Sequence, residues 1–475
     1  MNILFLSSEV APFSKSGGLA DVAAALPLAL ARLGHAVKVV TPLYRSVRDG
    51  RIRSLGAGLT LEFPFGAERV SLHEATVAPG LDVLFLKHGA YDRDGLYGDG
   101  RGEFGDNHRR FALLSVGALS AAQAVGFVPD IVHLNDWQTA LAALALRTGY
   151  EGTSLGRARS VLTLHNLAYQ GNFPASAVGE LGLPRELFSA EGGLEFHGQL
   201  SFLKAGMVYA DALTTVSATY AREVQTPEGG NGLDGVLRSR AHALTGIVNG
   251  VDVEGWNPET DVHLPARYTA ADLSGKAACK AAALAEFGLD AAPGAPLFVF
   301  VSRLAGQKGV DLLLPALEGL LQHHDVRVLG LGTGERWMEE ALAALAARYP
   351  QKMGMHVGYA ERLAHRLEAA GDFFLMPSRF EPCGLNQQYS QRYGTVPVVR
   401  AVGGLADTVV DVGEGQGTGI VFREYSGGAL WHALERALGL FHAPAALDEV
   451  RRRGMAQDFS WERSARAYEW VYRGA

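Results

Sequence analysis

Cysteine and long apolar runs are both scarce in this chain. Cys279 and Cys383 are the only cysteines among 475 residues, and two such distant thiols form neither a disulfide framework nor the ligand set of a zinc site. No apolar run is long enough to span a membrane, and the residues after Met1 lack the charged and apolar regions of a signal peptide. These absences favour a cytoplasmic protein with no membrane partner.

The charge balance excludes further classes of partner. The formal net charge is -7 and the isoelectric point is near 6.1, which argues against binding to nucleic acid. The glycine turn at 330–334 falls short of the dinucleotide fingerprint, and no loop of the type Gly-x-x-x-x-Gly-Lys-Ser/Thr occurs. We therefore expect no nucleic-acid partner, no metal and no cofactor.

The length and the order of the elements predict the architecture. A hydrophobic fraction of 48% and a charged fraction of 20% describe a globular protein of two or three domains. Residues 3–7 form a predicted strand, which a loop with Lys15 and a helix at 22–33 follow. The pattern recurs at 297–302, with Arg303 and Lys308 in the loop. The sequence thus predicts an α/β protein with two Rossmann-like domains.

Polar residues follow three predicted strands of the first half. They are Lys15, Gly17, Gly18 and Asp21 after the strand at 3–7, Asp136 after the strand at 130–134, and His165 after the strand at 160–164. The glycine pair would leave backbone amides free at a helix N-terminus, which favours anions. Only 8 of the 43 basic residues are lysines, so a lysine beside this loop is not ordinary surface composition. Asp136 or His165 alone could be a satisfied cap, but three polar positions at one sheet edge indicate a site.

The second half carries cations, a carboxylate and glycines in the same kind of position. They are Arg303 and Lys308 after the strand at 297–302, Glu381, Cys383, Gly384 and Leu385 after the strand at 373–376, and the pair Gly403 and Gly404. Arg303 and Lys308 would be read as solvated charges if their loop stood alone. Together at a helix N-terminus they favour a diphosphate.

Several of these segments resemble the glycogen and starch synthases, a family of retaining glycosyltransferases with the GT-B architecture. The resemblance rests on 15–22, where the family usually has Thr or Val at the position of Ser16, on 165–171, and on Glu381-Pro382-Cys383-Gly384-Leu385 followed by Gln387. It implies two Rossmann-like, doubly wound domains that face each other across a deep cleft. The expected boundaries are 1–255 for an acceptor-side domain, 256–457 for a donor-side domain, and 458–475 for a helix that packs back on the first domain.

The resemblance also implies an activity. Such an enzyme transfers glucose from ADP-glucose to the non-reducing end of an α-1,4-glucan such as glycogen, with retention. Arg303 and Lys308 would stabilise the leaving diphosphate with help from Lys15, while Glu381 would oppose the positive charge on the sugar and His165 would lie beside it. The remaining implied substrate contacts are Gly17, Gly18, Asp21, Asp136, Asn249, Tyr359 (near the nucleotide base), Cys383, Gly384, Leu385, Gly403 and Gly404.

Two alternatives stay open at this point. One is a retaining transferase of the same architecture with a small acceptor, as in sucrose or trehalose chemistry. The other is a nucleotide-sugar epimerase or a non-catalytic relative. Asp92-Arg93-Asp94 matches the metal-binding Asp-x-Asp pattern of a different glycosyltransferase architecture, but we interpret it as a coincidence because so short a pattern is common in polar loops.

Overall fold

The computed structural model of the protein describes residues 1–291 and 294–474, which form two compact units. The first unit consists of 1–216, 221–247 and the segment from 461 onward, and the second consists of 217–220 and 248–460. In the described part of the chain, no helix is both long and apolar enough to cross a membrane.

A parallel sheet with an antiparallel edge is the centre of the first unit. The strands of this unit are β1 (Asn2–Leu6), β2 (Ala36–Pro42), β3 (Arg53–Phe63), β4 (Gly66–Ala78), β5 (Leu81–Lys87), β6 (Gly98–Asp99), β7 (Gly102–Glu103), β8 (Ile131–Asn135), β9 (Arg159–Leu164), β10 (Asn172–Pro174), β11 (Glu195–Phe196), β12 (Gln199–Ser201), β13 (Ala212–Thr215) and β14 (Leu244–Gly246). The main sheet has the order β14-β13-β9-β8-β1-β2-β5-β4-β3, in which β4 pairs antiparallel with both β5 and β3. Both faces of its central strand are covered, because Ile3, Leu4, Phe5 and Leu6 are completely buried. This explains why β1 reads as an unbroken apolar run.

Helices connect and cover these strands. Before residue 248 they are α1 (Gly18–Arg32), α2 (Asn107–Ala124), α3 (Trp137–Thr148), α4 (Ser176–Glu180), α5 (Phe202–Tyr209), α6 (Ala218–Glu223) and α7 (Asp234–Ser239). Helix α1 begins four residues before the predicted start at 22, so Gly18 belongs to its first turn. Its end is set by Gly34, whose φ of +90° suits a glycine and whose N–H donates to the Ala31 carbonyl.

The second unit is built on a fully parallel sheet. Its strands are β15 (Leu297–Leu304), β16 (Arg327–Gly334), β17 (Met353–Val357), β18 (Phe373–Met376), β19 (Val396–Arg400) and β20 (Ile420–Phe422). Their order is β17-β16-β15-β18-β19-β20, the 3-2-1-4-5-6 order of a doubly wound fold. Its helices are α8 (Ser274–Glu286), α9 (Val310–His323), α10 (Arg336–Arg348), α11 (Glu361–Ala370), α12 (Asn386–Arg392), α13 (Gly403–Thr408), α14 (Gly427–Phe441) and α15 (Pro444–Met455). The prediction of two doubly wound α/β domains is confirmed.

The last helix returns to the first unit. This helix, α16 (Trp461–Tyr472), is held by two contacts between distant side chains. The Glu469 carboxylate lies 2.8 Å from His35 Nε2, and the Tyr472 hydroxyl lies 2.6 Å from Nδ1 of the buried His133.

The two units divide between Ile247 and Val248 rather than at 255/256. The segment that follows packs into the second unit, because Arg392 donates to the carbonyls of Val253 and Trp256. The segment 247–252 reads as a strand in the sequence but is not one: β14 ends at Gly246, and the segment makes only an isolated bridge, at Val251. A short apolar run cannot by itself separate a strand from an extended crossing segment.

Candidate active site

The predicted residues follow the carboxyl ends of strands next to the point where each sheet reverses its strand order. In the first unit this point lies between β1 and β8, and in the second between β15 and β18. Ligands of open α/β sheets bind at this position. Each unit therefore gathers its predicted residues at the edge where chemistry is expected.

The loop after β1 is organised by a carboxylate that the sequence did not single out. Glu9 is buried, and its Oε2 accepts two hydrogen bonds from Ser16. The distances to Oε2 are 2.5 Å from the backbone N of Ser16 and 2.8 Å from its Oγ. Burial raises the pKa of Glu9, and the amides of Ser16 and Gly17 oppose that shift. The expectation of a free amide is therefore wrong for Gly17, whose N–H, like that of Ser16, is already bound by an internal carboxyl group. The only signal for Glu9 was its place just beyond β1.

The exposed part of this loop carries Lys15 and Asp21. Their side chains form an ion pair, with Nζ 2.7 Å from Oδ1, and each is about half exposed. Gly17 is in an extended conformation, with φ of -154°. A Cβ at Gly18 would meet nothing within 4 Å in the described structure. Packing inside the protein therefore does not require a glycine at 18.

Asp136 and His165 are brought together at the ends of β8 and β9. The Asp136 carboxylate accepts from the backbone N–H of His165 at 2.7 Å and also from that of Asn166. Burial raises the pKa of Asp136 to about 7 and lowers that of His165 to about 4. Asp136 has a φ of +54°, a conformation that costs a non-glycine residue about 1–3 kcal/mol and is concentrated at functional sites.

The second unit pairs two of its predicted residues directly. Lys308 Nζ lies 2.6 Å from Oε2 of Glu381, and the same oxygen accepts a hydrogen bond from Ser378 Oγ at 3.1 Å. The Glu381 side chain is 6% exposed and that of Lys308 is 19% exposed. From the sequence these residues were expected to have separate roles, but in the structure they form one largely buried ion pair. Ser378, the second hydrogen-bond donor to the Glu381 carboxylate, was not predicted.

Arg303 differs from Lys308 in having no carboxylate partner in the described structure. It lies near the end of β15, is exposed, and donates from Nη2 to Oε1 of Gln307 at 3.3 Å. Lys308 ends a short 3-10 turn (Gly306–Lys308) that leads into α9. The N-terminus of a helix adds positive potential to the two cations.

The glycines of the second unit serve close backbone packing. A Cβ at Gly403 would lie 1.9 Å from the Glu381 carbonyl oxygen, and one at Gly404 would lie 1.9 Å from that of Cys383. The N–H of Gly404 donates to the carbonyls of Glu381 and Pro382. A second Gly-Gly pair would also be expected to leave free amides, but that of Gly404 is taken: the glycine pair holds the backbone that carries Glu381.

The other predicted residues of this loop are structural in their contacts. Cys383 is buried, its sulfur accepts from the backbone N–H of Asn249, and burial raises the pKa of the thiol to about 12. This thiol is therefore not a nucleophile near neutral pH. Gly384 has a φ of +70°, and its carbonyl accepts from the Gln387 side chain. Leu385 is the residue before α12.

Two further predicted residues, Asn249 and Tyr359, and the two aspartates of the Asp-x-Asp pattern lie in different settings. Asn249 is buried, and its Oδ1 has no hydrogen-bond partner among the described residues. Tyr359 follows β17 and is 83% exposed. Asp92 and Asp94 both pair with Arg45, at 2.9 and 3.6 Å, which gives the Asp-x-Asp pattern a structural partner.

The site residues lie on a chain whose two halves match two family models. Residues 2–239 match the starch synthase catalytic domain, and residues 285–448 match the glycosyl transferases group 1. A protein named glycogen synthase from Myxococcus xanthus is 59% identical over 475 residues, covering 99% of both chains. One of the same name from Anaeromyxobacter sp. (strain Fw109-5) is 53% identical over 100% of this chain and 99% of its own.

Solved structures agree with these matches. The catalytic domain of starch synthase IV from Arabidopsis thaliana, bound to ADP and acarbose, has a TM-score of 0.90 and 33% identity, covering 99% of this chain and 98% of its own. Sucrose-phosphate synthase from Thermosynechococcus elongatus has a TM-score of 0.62 at 18% identity, covering 100% of this chain and 98% of its own, and supports the fold alone. On the matched half, the full-length identity and the shared fold, this chain belongs to the glycogen and starch synthase family of glycosyltransferases.

Proposed function

We propose that this protein is a glycogen synthase that transfers glucose from ADP-glucose to the 4-hydroxyl at the non-reducing end of an α-1,4-glucan, with retention and release of ADP. The observation that carries the proposal is the ion pair of Lys308 and Glu381, 2.6 Å long, at the strand-order reversal of the second unit. Arg303 lies five residues before Lys308 in the chain, and a buried carboxylate paired with a cation suits a reaction in which a sugar becomes positive while a diphosphate leaves.

The leaving group is assigned to the two cations. Cleavage of the anomeric bond moves an electron pair onto the diphosphate, and Arg303 and Lys308 would stabilise that charge. Because Lys308 is also paired with Glu381, we assign the charge of the diphosphate to Arg303 and Lys308 together. Lys15 is about half exposed and forms a surface ion pair of 2.7 Å with Asp21. Exposed pairs of this kind are weak, so we propose Lys15 as a further cation.

Glu381 is assigned to the donor sugar. Its Oε2 is already occupied by Lys308 and Ser378, which leaves the other oxygen for a sugar hydroxyl. The negative charge of Glu381 would stabilise the positive, oxocarbenium-like charge that develops on the sugar. Attack of the glucan hydroxyl from the side that the diphosphate leaves, with a phosphate oxygen taking the proton, gives retention without a protein nucleophile.

His165 is assigned to the sugar as a neutral group. Burial lowers its pKa to about 4, so at neutral pH it brings no positive charge to the donor. We also propose a cytoplasmic location, since both cysteines are free thiols, as is usual in a reducing compartment.

Incubation of the protein with labelled ADP-glucose and glycogen tests the function. Longer glucan supports it, a labelled disaccharide would indicate a small-acceptor transferase, and an absence of product would indicate a non-catalytic relative. We expect ADP-glucose to be used at least as well as UDP-glucose. Transfer should survive EDTA, whereas a strict requirement for Mn²⁺ or Mg²⁺ would mean that the Asp92-Arg93-Asp94 pattern was wrongly interpreted as a coincidence.

A further inference from the structure

Two consecutive residues at the end of β8 bind the same residue at the end of β9. The side-chain Oδ1 of Asn135 lies 2.9 Å from Nε2 of His165, while the Asp136 carboxylate holds the His165 backbone N–H at 2.7 Å. Neighbouring residues of an extended strand point to opposite faces of a sheet. The φ of +54° at Asp136 breaks this alternation, so both side chains reach His165.

The orientation of the Asn135 amide is fixed by a second contact. Its Nδ2 donates to the carbonyl of Leu6 at 2.8 Å, which leaves Oδ1 as the oxygen that faces His165. An amide oxygen only accepts hydrogen bonds. The nitrogen that faces it, His165 Nε2, must therefore carry the proton, and Nδ1 of the neutral ring is then an acceptor.

The Asn135 side chain has little freedom to depart from this arrangement. The residue is completely buried, and its backbone N–H and carbonyl are both bonded to the Thr139 hydroxyl, at 2.7 and 2.9 Å. Parallel pairing with β9 fixes its backbone beside Thr163. The amide is thus a rigid acceptor rather than one of several conformers.

We propose that Asn135 is a positioning residue that fixes His165 as the neutral Nε2–H tautomer, with Nδ1 ready to accept a hydrogen bond from a sugar hydroxyl. The inference rests on the proposed function, because it gives His165 a sugar to bind. A neutral ring suits this place, since an imidazolium would repel the positive charge that develops on the donor sugar. A carboxylate at 135 would do the opposite and would favour the imidazolium.

Other titratable groups lie in the region of His165, and their effects on the pH dependence of kcat have to be distinguished from that of His165. They are the Asp136 carboxyl, whose pKa burial raises to about 7, the His133 ring, whose pKa burial lowers to about 3, and Glu9, whose pKa burial raises. Asp136 titrates in the range where most assays are run. The informative quantity is therefore the ratio of variant to wild-type kcat at each pH, measured with Asp136→Asn in both proteins, because a new carboxylate at 135 would itself shift the titration of Asp136.

The test is Asn135→Asp, assayed as the full chain with ADP-glucose and glycogen between pH 5.5 and 8.5. A carboxylate beside the ring raises a histidine pKa by about 1–3 units, which brings protonation of His165 into this window. A direct contact of 2.9 Å inside the protein belongs to the upper part of that range, and for a rise of about 2–3 units the ratio of kcat values should fall by about four- to thirtyfold from pH 8 to pH 5.5. The control is Asn172→Asp, on an exposed strand end of the same unit, whose ratio should stay flat.

A spectroscopic measurement on the wild-type protein completes the test. Two-bond ¹H–¹⁵N spectra of the histidine rings report which nitrogen carries the proton, and His165→Gln identifies the His165 signal. A protonated Nε2 with a bare Nδ1 supports the proposal, and so does a pH-dependent ratio for Asn135→Asp. The Nδ1–H tautomer, or a ratio constant within about twofold in a folded variant, would overturn it. If the wild-type protein transfers no glucose, the proposed function fails, and the ring spectrum still decides the tautomer.

Discussion

Removing the ammonium of Lys308 should destabilise the second unit by leaving a buried carboxylate without its counter-charge. Lys308→Met keeps the apolar stem of the side chain and deletes only the charge. Breaking a buried ion pair from one side costs about 3–5 kcal/mol. We take about 3 kcal/mol, the low end of that range, because 19% of the Lys308 side chain is exposed and water can reach the site.

Calorimetry converts this energy into a shift of the unfolding temperature. In a unit of this size each kcal/mol shifts Tm by about 2–4 °C, so Lys308→Met should lower the transition of the second unit by roughly 6–12 °C. Adding Glu381→Gln to it removes the unpaired charge and should restore at least half of the loss. The matched control is Arg303→Met, which removes an exposed cation and should stay within about 2 °C of the wild type.

Two results would refute this reasoning. If Lys308→Met and Glu381→Gln lowered Tm additively, the two groups would not form a pair in solution. If Arg303→Met destabilised the protein as much as Lys308→Met, burial of the pair would not be the cause of the effect.

Three further outcomes follow from the same geometry. Arg303→Ala and Lys308→Ala should each lower kcat by roughly 10²–10³. The double variant should lose far less than the product of the two single losses, because both cations act on one leaving group. Steady-state kinetics with glycogen measures these losses, and a double variant whose loss equals that product would contradict the assignment. Glu381→Gln should lower kcat by a factor on the order of 10² while donor affinity by calorimetry changes little, whereas a raised KM at ordinary kcat would reduce Glu381 to a binding contact. Because burial raises the pKa of Asp136 to about 7, the unfolded carboxyl ionises first, so this residue makes the protein less stable as pH rises from about 4 to 7. The Tm of wild type relative to Asp136→Asn should decline across that window, and a constant difference would show that Asp136 is already ionised when folded.

The sequence predicted which residues lie at the sheet edges because that information is local. A run such as Phe373–Met376 predicts a buried strand, and the residue types just after it then lie at the carboxyl edge. Lys15, Asp136 and His165 were located in the first unit by this argument, and Arg303 and Glu381 in the second. The doubly wound fold followed from the same alternation of strands and helices.

The sequence did not predict the partners of these residues, because partners come from distant segments. Lys308 and Glu381 are 73 residues apart, and no local pattern states that two opposite charges on neighbouring loops will meet. Asn135 reads as the last residue of a strand, and its role appears only when β9 is placed beside β8. Glu9 has no motif at all, and its importance depends on the fold of the loop up to Ser16.

The glycine turns show the same limit in another form. From the sequence, a Gly-Gly pair at a helix N-terminus predicts free amides, but it does not tell whether the protein itself occupies them. In the first unit Glu9 takes the amides of Ser16 and Gly17, and in the second the carbonyl of Glu381 takes that of Gly404. The residue types of such a turn are equally compatible with amides that bind a ligand and amides that bind another group of the protein. Only the packing of the folded chain distinguishes the two.

The two units hold their carboxylates by different physical means, and this difference has a consequence for pH. In the first unit Glu9 and Asp136 are bound by neutral donors, namely hydroxyl and backbone N–H groups, and burial raises the pKa of both. In the second unit Glu381 is bound by the ammonium of Lys308. A proton that neutralises Asp136 weakens the hydrogen bonds that hold the backbone of His165. Mild acidification should therefore loosen the loop that begins at His165 in the first unit.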